Sequence, residues 1–208
     1  MEYLVVSSRI RLARNFSGLP FPVNCSPVHA DKVYTTAKRV SDKLFENDFI
    51  KIKSMSSLER NSLIESHLIS PLLLESKYGA LILNKERNIS IMLMEEDHIR
   101  AQCMENGLSL KKCDEQLSCF DDGLSKAANI AYDYKLGYIT ACPSNIGTGM
   151  RASVMLFLPS VTINKLIPQI KSKVEAAGLT IRGIYGEGSE AEGCMYQISN
   201  RISLGVDE

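Results

Sequence analysis

Hydrophobic residues recur in two patterns along this chain, and together the patterns predict alternating strands and helices. Short apolar runs bounded by turn residues predict strands near residues 3–6, 80–83, 89–94, 138–141, 151–158, 179–185 and 194–199. Apolar residues at helical spacing predict helices between residues 31 and 46, 56 and 69, 109 and 136, and 163 and 177. Ser56 and Glu59 form a predicted capping box, Gly123 should interrupt the third helix, and residues 80–94 should form a hairpin.

The loop at residues 140–150 carries the densest candidate chemistry. Pro143 pushes Cys142 toward an extended conformation, and the glycines of the Gly-Thr-Gly run allow tight turns and close approach to a ligand. Alternate residues of the strand that follows share a face, so Arg151, Ser153 and Met155 should lie together. The loop therefore places a thiol and an arginine close in sequence. The alternative is a buried thiol beside an ordinary loop.

Two arginines near the N-terminus suggest a binding site for an anion. Arg9 and Arg11 are two residues apart in an extended segment, so their side chains should point to the same face. Adjacent guanidinium groups repel each other unless an anion lies between them, and their forked donors suit phosphate oxygens. The alternative is a solvated basic strand at the edge of a sheet.

Charged residues also follow the predicted hairpin and accompany the last strands. Glu96, His98 and Arg100 come directly after the strand at 89–94, and they share a face if the chain stays extended. Arg182 lies midway along an apolar strand, where an arginine needs an anionic partner, and Glu187 lies in the glycine-rich loop that follows. The alternatives are a surface charge cluster for the first group and a plain hairpin turn for the loop.

Charge and cysteine usage narrow the class of protein. Lys+Arg and Asp+Glu number 24 each, which argues against nucleic acid or a membrane as partner. No apolar run reaches the roughly 20 residues of a membrane span, and no signal-peptide pattern is seen. Six cysteines without a CxxC pair indicate reduced thiols and a cytoplasmic location. The cysteines and the three histidines form no zinc motif, so no metal-binding side chains are predicted.

The candidate residues together suit phosphoryl transfer without a glycine-rich phosphate loop, since neither the Walker pattern nor GxGxxG occurs. They comprise five arginines, two glutamates and a cysteine: Arg9, Arg11, Arg100, Arg151, Arg182, Glu96, Glu187 and Cys142. A triphosphate carries about four negative charges, and its transfer is promoted mainly by electrostatic clamping and alignment. Convergent arginines would supply both, and the carboxylates would hold a cationic acceptor.

Four segments of the chain resemble signature motifs of the ATP:guanido phosphotransferases, the creatine and arginine kinase family. They are residues 7–11, 95–100, 142–151 and 182–187, in the family's order. Shorter runs at 11–15, 151–155 and 182–189 resemble more closely the family's bacterial protein arginine kinase branch. Ser144 departs from the family's usual threonine but keeps the hydroxyl. The resemblance implies an α+β fold in which a curved, mainly antiparallel sheet is flanked by helices, as in glutamine synthetase.

The resemblance also implies the site residues. ATP would be bound by Ser7, Ser8, Arg9, Ile10, Arg11, His67, Arg100, Arg151, Ala152, Ser153, Val154, Met155, Arg182, Gly183, Ile184, Tyr185 and Gly186. Glu96 would act as base and orient the acceptor guanidine, Glu187 would hold its other edge, and Cys142 would contact it as a thiolate. Mg²⁺ would be held mainly by phosphates and water.

The implied activity is transfer of the γ-phosphoryl group of ATP to exposed arginines of protein substrates. Because the first arginine motif begins at Ser7 and the chain stops at Glu208, we expect one catalytic domain over residues 1–208, without the family's small N-terminal domain or a C-terminal helical domain. The resemblance further implies an activator protein and a protease–chaperone system as partners, in stress response and protein quality control. Two alternatives stay open: a kinase of free arginine or another small guanidine, and a catalytically silent nucleotide-binding module.

Overall fold

The structure, a computed structural model, describes residues 4–183 and 192–206. The strands in these ranges are β1 (Val5–Arg14), β2 (Asn47–Lys51), β3 (Ala80–Asn84), β4 (Ile89–Leu93), β5 (Ile99–Asn106), β6 (Tyr132–Asp133), β7 (Gly137–Tyr138), β8 (Met150–Phe157), β9 (Leu179–Gly183) and β10 (Met195–Asn200). The α-helices are α1 (Pro27–Leu44), α2 (Ser57–Glu65), α3 (Pro71–Glu75), α4 (Leu110–Ala127), α5 (Pro159–Ile163) and α6 (Ile167–Ala176).

Eight of the described strands form one antiparallel sheet in the order β2-β3-β4-β5-β1-β8-β10-β9, and β6 pairs with β7 in a separate hairpin. The predicted α+β fold, a large antiparallel sheet flanked by helices, is therefore confirmed. The hairpin predicted within residues 80–94 is the β3–β4 pair. Because β1 pairs with β5 on one side and with β8 on the other, the alternative of a solvated edge strand is wrong.

Helices α1 and α4 cover one face of the sheet and enclose the main core. Val33 of α1 and Phe120 of α4 are buried in one cluster with Ile10 of β1. Gly123 does not interrupt α4 as predicted, because its role is close packing. A β-carbon at this position would lie 2.7 Å from Cγ1 of Val40 in α1, so the absence of a side chain lets the two helices approach.

The other helices divide between the two faces. Helices α5 and α6 extend the α1–α4 layer, and a smaller cluster around Ile181 and Tyr196 packs beneath them. On the opposite face, α2 and α3 pack over β3 and β4, around Leu73 and Leu81. The remainder of that opposite face, on β5, β1, β8, β10 and β9, carries half-buried polar and charged side chains.

The helix boundaries agree with the predictions only in part, and α1 begins at Pro27 instead of residue 31. Ser56 caps α2 and forms the expected capping box with Glu59. The helix ends at Glu65 instead of continuing to residue 69, and the third predicted helix ends at Ala127 instead of near residue 136. The helix predicted at 163–177 is divided into α5 and α6, because Lys165 between them has a φ of 56° in the left-handed region.

Candidate active site

The sheet face opposite the main core carries five arginines from four strands. They are Arg9, Arg11, Arg100, Arg151 and Arg182. Cross-strand partners share a face, and Arg11 pairs with Gln102 of β5 and with Arg151 of β8. Arg182 of β9 pairs with Gln197 of β10, which in turn pairs with β8 on the same face. The predicted shared face of Arg9 and Arg11 is confirmed, and the register extends that face to the other three arginines.

Arg11 lies in a strongly cationic environment. Burial and the charges of Arg9, Arg100 and Arg151 lower its pKa to about 8. The Glu95 carboxylate acts in the opposite direction. The Nε atom of Arg11 is buried, and no described residue accepts a hydrogen bond from it. A buried guanidinium nitrogen without an acceptor, surrounded by other cations, is an environment that a bound polyanion would complete.

A pocket of about 60 Å³ beside Arg9 brings together five of the residues predicted to bind the nucleotide. It is lined by Ser7, Arg9, His67, Met104, Ser153, Met155 and Gln197. His67 has a φ of 56°, and its carbonyl oxygen accepts a hydrogen bond from Nε2 of Gln102 at 2.7 Å. Partial burial and the charge of Arg9 lower the pKa of His67, so a neutral imidazole adds no further repulsion to the pocket at neutral pH.

A larger cleft of about 580 Å³ lies on the β8–β9 side of the arginine face. Its lining includes Ser144, Asn145, Arg151, Arg182, Asn200 and Arg201. The Arg151 guanidinium is oriented by Ser199, because its Nη2 donates to the Ser199 hydroxyl oxygen at 3.0 Å. The cleft reaches Ser144, two residues after Cys142, so the arginine face and the Cys142 loop border the same space.

Four residues predicted to bind the nucleotide have side chains on the other face of the sheet. They are Ser8, Ile10, Ala152 and Val154, which alternate with arginine-face residues along β1 and β8. The Ser8 hydroxyl donates to Gly107 O at 2.7 Å, and Ile10 is buried in the main core. Contact between these positions and a nucleotide would therefore involve the backbone. Gly183 ends β9, while Ile184, Tyr185, Gly186 and Glu187 lie outside the described residues.

The acidic segment after β4 forms a tight turn instead of an extended run. Met94 has a φ of 58°, and its N–H donates to His98 O at 2.9 Å, so the chain reverses direction here before β5 begins. The prediction that Glu96, His98 and Arg100 share one face is therefore wrong. Period-two reasoning fails because it requires a continuous strand through these residues.

His98 is a buried structural residue. Its Nδ1 accepts a hydrogen bond from the Phe16 N–H at 3.0 Å, and its Nε2 lies 2.8 Å from Pro20 O. Burial lowers the pKa of the ring, and the neutral imidazole holds the loop after β1 against the acidic turn. His98 thus supports the site from beneath and does not face the arginines.

The turn gives two adjacent glutamates different environments. Glu95 is buried and pairs with Arg100, whose Nη1 lies 2.9 and 2.8 Å from the two carboxylate oxygens. Glu96 lies at the surface, but the neighbouring protein removes part of its solvent, and this desolvation and the charges of Asp97 and Glu95 raise its pKa. A raised pKa makes this carboxylate a stronger base than an ordinary glutamate, which is the direction that a proton acceptor requires. The Glu95–Arg100 pair was not predicted, because the sequence pattern does not show which of two adjacent glutamates in a turn is buried.

The loop that carries Cys142 is held by the C-terminal segment. The Thr148 N–H donates to Ser203 O at 2.8 Å, and the Ser203 hydroxyl donates to Ser144 O at 3.1 Å. Gly147, with a φ of 114°, permits this approach, since a β-carbon there would lie 1.9 Å from Ser203 O. Cys142 is half-buried, with its Sγ 3.0 Å from the Ser144 hydroxyl oxygen, which argues against a thiol enclosed in the core.

Asp97 joins the turn of Glu96 to the loop of Cys142. Its side chain is buried, and the carboxylate accepts a hydrogen bond from the Ala141 N–H at 2.7 Å. Burial raises the pKa of Asp97, while hydrogen bonds from Ala141 and Asn15 oppose that effect. Because Asp97 follows Glu96 and Ala141 precedes Cys142, this bond connects the segments that carry two of the three predicted catalytic residues. The third, Glu187, lies outside the described residues.

Within residues 4–183 and 192–206, no group of three or more His, Cys, Asp and Glu side chains is arranged to hold a metal ion. In the same part of the chain, no helix combines the length and apolarity needed to cross a bilayer.

An arginine face beside a turn of carboxylates and a half-buried thiol has the chemistry that suits phosphoryl transfer from a polyphosphate to a cationic acceptor. Residues 29–208 match the family described as ATP:guanido phosphotransferase, C-terminal catalytic domain. The chain belongs to this family.

Individual relatives refine the comparison. The chain is 42% identical over 212 residues to the protein-arginine kinase of Desulforamulus reducens and 44% identical over 210 residues to that of Bacillus cereus. Each alignment covers 99% of this chain and 59% of the relative, so the chain spans about three fifths of the length of these relatives.

Solved structures show the same fold. The duplicated taurocyamine kinase from Schistosoma mansoni, with bound transition state analogue components, superposes with a TM-score of 0.86 at 30% identity, covering 99% of this chain and 30% of that one. A lombricine kinase superposes with a TM-score of 0.85 at 28% identity, covering 100% of this chain and 62% of that one.

Proposed function

We propose that this domain transfers the γ-phosphoryl group of ATP to the guanidinium group of arginine residues in proteins. The observation that carries the proposal is the convergence of arginines on one sheet face, where a buried nitrogen of Arg11 has no acceptor among the described residues. The names of the relatives at 42% and 44% identity support arginine in proteins as the acceptor.

The arginine face is the proposed site of the triphosphate. Arg11 and Arg151 are cross-strand partners, and like charges in such a position repel each other unless a counter-ion intervenes. Phosphate oxygens between them would relieve that repulsion and accept the orphaned Nε–H of Arg11. His67, in the pocket beside Arg9, would contact the nucleotide without adding positive charge.

The carboxylates and the thiol are the proposed acceptor side. Glu96 would take a proton from the substrate guanidinium, and the freed nitrogen would attack the γ-phosphorus. The N–P bond forms as the bond from phosphorus to the β–γ bridging oxygen breaks, and ADP leaves with that electron pair. Cys142, and Glu187 outside the described residues, would hold the guanidinium in line for this attack.

Three further features belong to the proposal. Mg²⁺, held mainly by phosphate oxygens and water, would neutralise charge on the triphosphate. The six free cysteines suit a reducing compartment, and we place the protein in the cytoplasm. An activator protein and a protease–chaperone system remain predicted partners.

A kinase of small guanidines is the second candidate. The observation in its favour is that the solved structures of the same fold are named taurocyamine kinase and lombricine kinase. Their identity to this chain is 28–30%, below the 42–44% of the protein-arginine kinases. The acceptor side described above is chemically suited to either kind of guanidine, so the substrate must be tested directly.

The test compares two acceptors side by side. The 208-residue chain is incubated with ATP and Mg²⁺, in one tube with an arginine-rich protein and in another with free arginine. Mass spectrometry under non-acidic conditions should detect phosphoarginine in the protein. A Glu96→Gln control should lose about 10²- to 10⁴-fold in rate while its ATP affinity is retained.

Each other outcome has a meaning. Phosphorylation confined to serine, threonine or tyrosine would contradict the proposal. Transfer to free arginine without transfer to the protein would establish the second candidate. ATP binding without transfer to either acceptor would leave the silent nucleotide-binding module.

A further inference from the structure

We propose that Asn15 is a positioning residue that fixes the Glu96 turn and the Cys142 loop in the relative position that phosphoryl transfer requires. The inference rests on the proposed function, because it assigns Asn15 to the acceptor side of that site. Asn15 immediately follows β1, whose Arg9 and Arg11 would face the triphosphate, so one continuous segment would organise both sides of the reaction.

The Asn15 amide makes three hydrogen bonds while almost fully buried, at 2% exposure. Its Oδ1 accepts from the His98 N–H at 2.8 Å, and its Nδ2 donates to Ile139 O at 3.0 Å. The same Nδ2 donates to Oδ1 of Asp97 at 2.5 Å. One side chain therefore connects residues that are 82 to 124 positions away in sequence.

These partners lie next to the reacting groups. Asp97 directly follows Glu96, and its Oδ1 also accepts the Ala141 N–H at 2.7 Å. Ala141 directly precedes Cys142. Asp97 and Asn15 therefore connect the Glu96 turn to the Cys142 loop by hydrogen bonds. Asp97 and Asn15 are buried, and their partners Ile139 and Ala141 are half-buried.

The chemistry of the contacts requires an amide. The group must donate to a carboxylate and a carbonyl while accepting from a backbone N–H, and an amide side chain has both functions at fixed geometry. Aspartate at this position would keep the acceptor but would lose the donors when ionised, and it would face the Asp97 carboxylate. Alanine would leave buried groups on both segments without partners.

Asn84 provides a matched control within the same chain. It is also buried, at 4% exposure, and its Oδ1 accepts from the Asn88 and Ile89 N–H groups at 3.1 and 2.9 Å. Its Nδ2 donates to Asn88 and Glu86 at 2.6 and 3.0 Å. All these partners lie within the β3–β4 hairpin, so Asn84 makes the same kinds of hydrogen bond as Asn15 but stabilises only the fold.

The experiment compares Asn15→Ala, Asn15→Asp and Asn84→Ala with the parent chain. For each protein we would measure urea unfolding, ATP affinity by calorimetry, and kcat and KM for phosphoarginine formation. The rate of Cys142 alkylation by iodoacetamide, read by peptide mass spectrometry, reports the loop geometry without any need for activity. Both Asn15 variants should lower kcat by about 100-fold, the scale expected for a misplacement of about 1 Å.

The expected pattern separates positioning from folding. In the Asn15 variants, ATP affinity should stay within twofold of the parent and the Cys142 alkylation rate should change more than threefold. Asn84→Ala should lower the urea midpoint yet leave kcat and Cys142 alkylation unchanged. Parental kcat and alkylation in folded Asn15 variants would overturn the inference, and so would unfolding of both variants, because Asn15 would then serve the fold as a whole.

The design also distinguishes failure of the inference from failure of the proposed function. If the parent chain transfers no phosphate, the proposed function fails on that result. A change in Cys142 alkylation confined to the Asn15 variants would still support the connection between the two segments, and an unchanged rate would contradict it.

Discussion

Two arginines three residues apart on β1 occupy opposite faces of the sheet and have opposite environments. Arg14, at 1% exposure, forms a bidentate ion pair with Asp121 of α4, with Nη2 to Oδ2 at 2.7 Å and Nε to Oδ1 at 2.9 Å. Its Nη1 donates to Thr148 O at 2.8 Å, and its guanidinium lies 3.5 Å from the centre of the Tyr138 ring. Arg11 has other arginines as its neighbours instead.

The difference separates an arginine that serves the fold from one that serves a ligand. Every favourable contact of Arg14 is supplied by the protein, so its charge is neutralised in the folded chain. The fold leaves Arg11 with repulsion and a buried nitrogen that lacks an acceptor among the described residues, which lowers stability unless an anion binds. The arginine face therefore carries an electrostatic cost that a bound anion would relieve, as the proposed function requires.

The largest expected effect tests the core face. Arg14→Met removes the partner of the buried Asp121 carboxylate, and breaking a buried ion pair in this way typically costs about 3–5 kcal/mol. The urea midpoint should fall accordingly. A decrease in the free energy of unfolding below about 1 kcal/mol would mean that the Arg14–Asp121 pair behaves like an exposed surface pair. That result would contradict the contrast between Arg14 and Arg11.

The next effect tests the arginine face. Arg11→Met should leave the urea midpoint unchanged or raise it, because it removes a cation from a repulsive cluster. ATP affinity should fall about 10- to 100-fold, as expected for loss of a charge-assisted hydrogen bond of about 1.5–3 kcal/mol. Calorimetry and unfolding on the same preparation provide both values. If the Arg11→Met variant were less stable and bound ATP normally, Arg11 would serve the fold and not the ligand, which would contradict the account.

A smaller effect is expected from salt. Raising KCl should weaken ATP binding severalfold, because the arginine face is partly open and its interaction with phosphate is screened. The difference in stability between the parent chain and Arg14→Met should change little, since the Arg14–Asp121 pair is buried. Titrations and urea unfolding at two salt concentrations measure both quantities. Equal salt sensitivity of the two would show that burial does not distinguish the faces.

The smallest effect concerns Glu96. The fold raises the pKa of this carboxyl, so the protonated form is favoured by folding and its contribution to stability is lost as pH rises through the folded-state pKa. Glu96→Gln should therefore raise the urea midpoint slightly at pH 7.5. It should have no effect at a pH below the ordinary glutamate pKa. A lower midpoint at pH 7.5 would show that the folded chain stabilises the ionised carboxylate, which is the opposite of the expected sign.

Much of this comparison could be predicted along single strands. Period two placed Arg9 with Arg11, and Arg151 with Ser153 and Met155, because each pair or triplet lies on one continuous strand. The same rule failed at Glu96, where the left-handed conformation of Met94 reverses the chain. No pattern in the sequence signalled that reversal.

Relations between strands could not be predicted. The placement of Arg151 across from Arg11 depends on sheet register, which is set by the whole core and not by either strand alone. Family motifs marked the segments that carry the five arginines, but they marked contiguous blocks such as residues 151–155. The pleat assigns alternate members of each block to the core, and this explains why Ala152 and Val154 lie away from the arginines.

The structural role of Arg14 could not be predicted from the sequence either. Its position next to a recognised arginine motif gave no reason to separate it from Arg9 and Arg11, because its partner Asp121 lies 107 positions away on α4. Residues an odd number of positions apart on a strand point to opposite faces, so Arg14 points away from Arg9 and Arg11. The residues that Arg14 contacts on the core face then determine its structural role.

The most direct test of the central claim measures how affinity depends on the number of phosphates. Calorimetric titration of the 208-residue chain with AMP, ADP and ATP, at constant ionic strength and free Mg²⁺, compares ligands that share the same nucleoside. If the arginine face binds the polyphosphate, affinity should increase at each added phosphate, and Arg11→Met should flatten the series. Equal affinities for AMP and ATP, unchanged by Arg11→Met, would contradict the account.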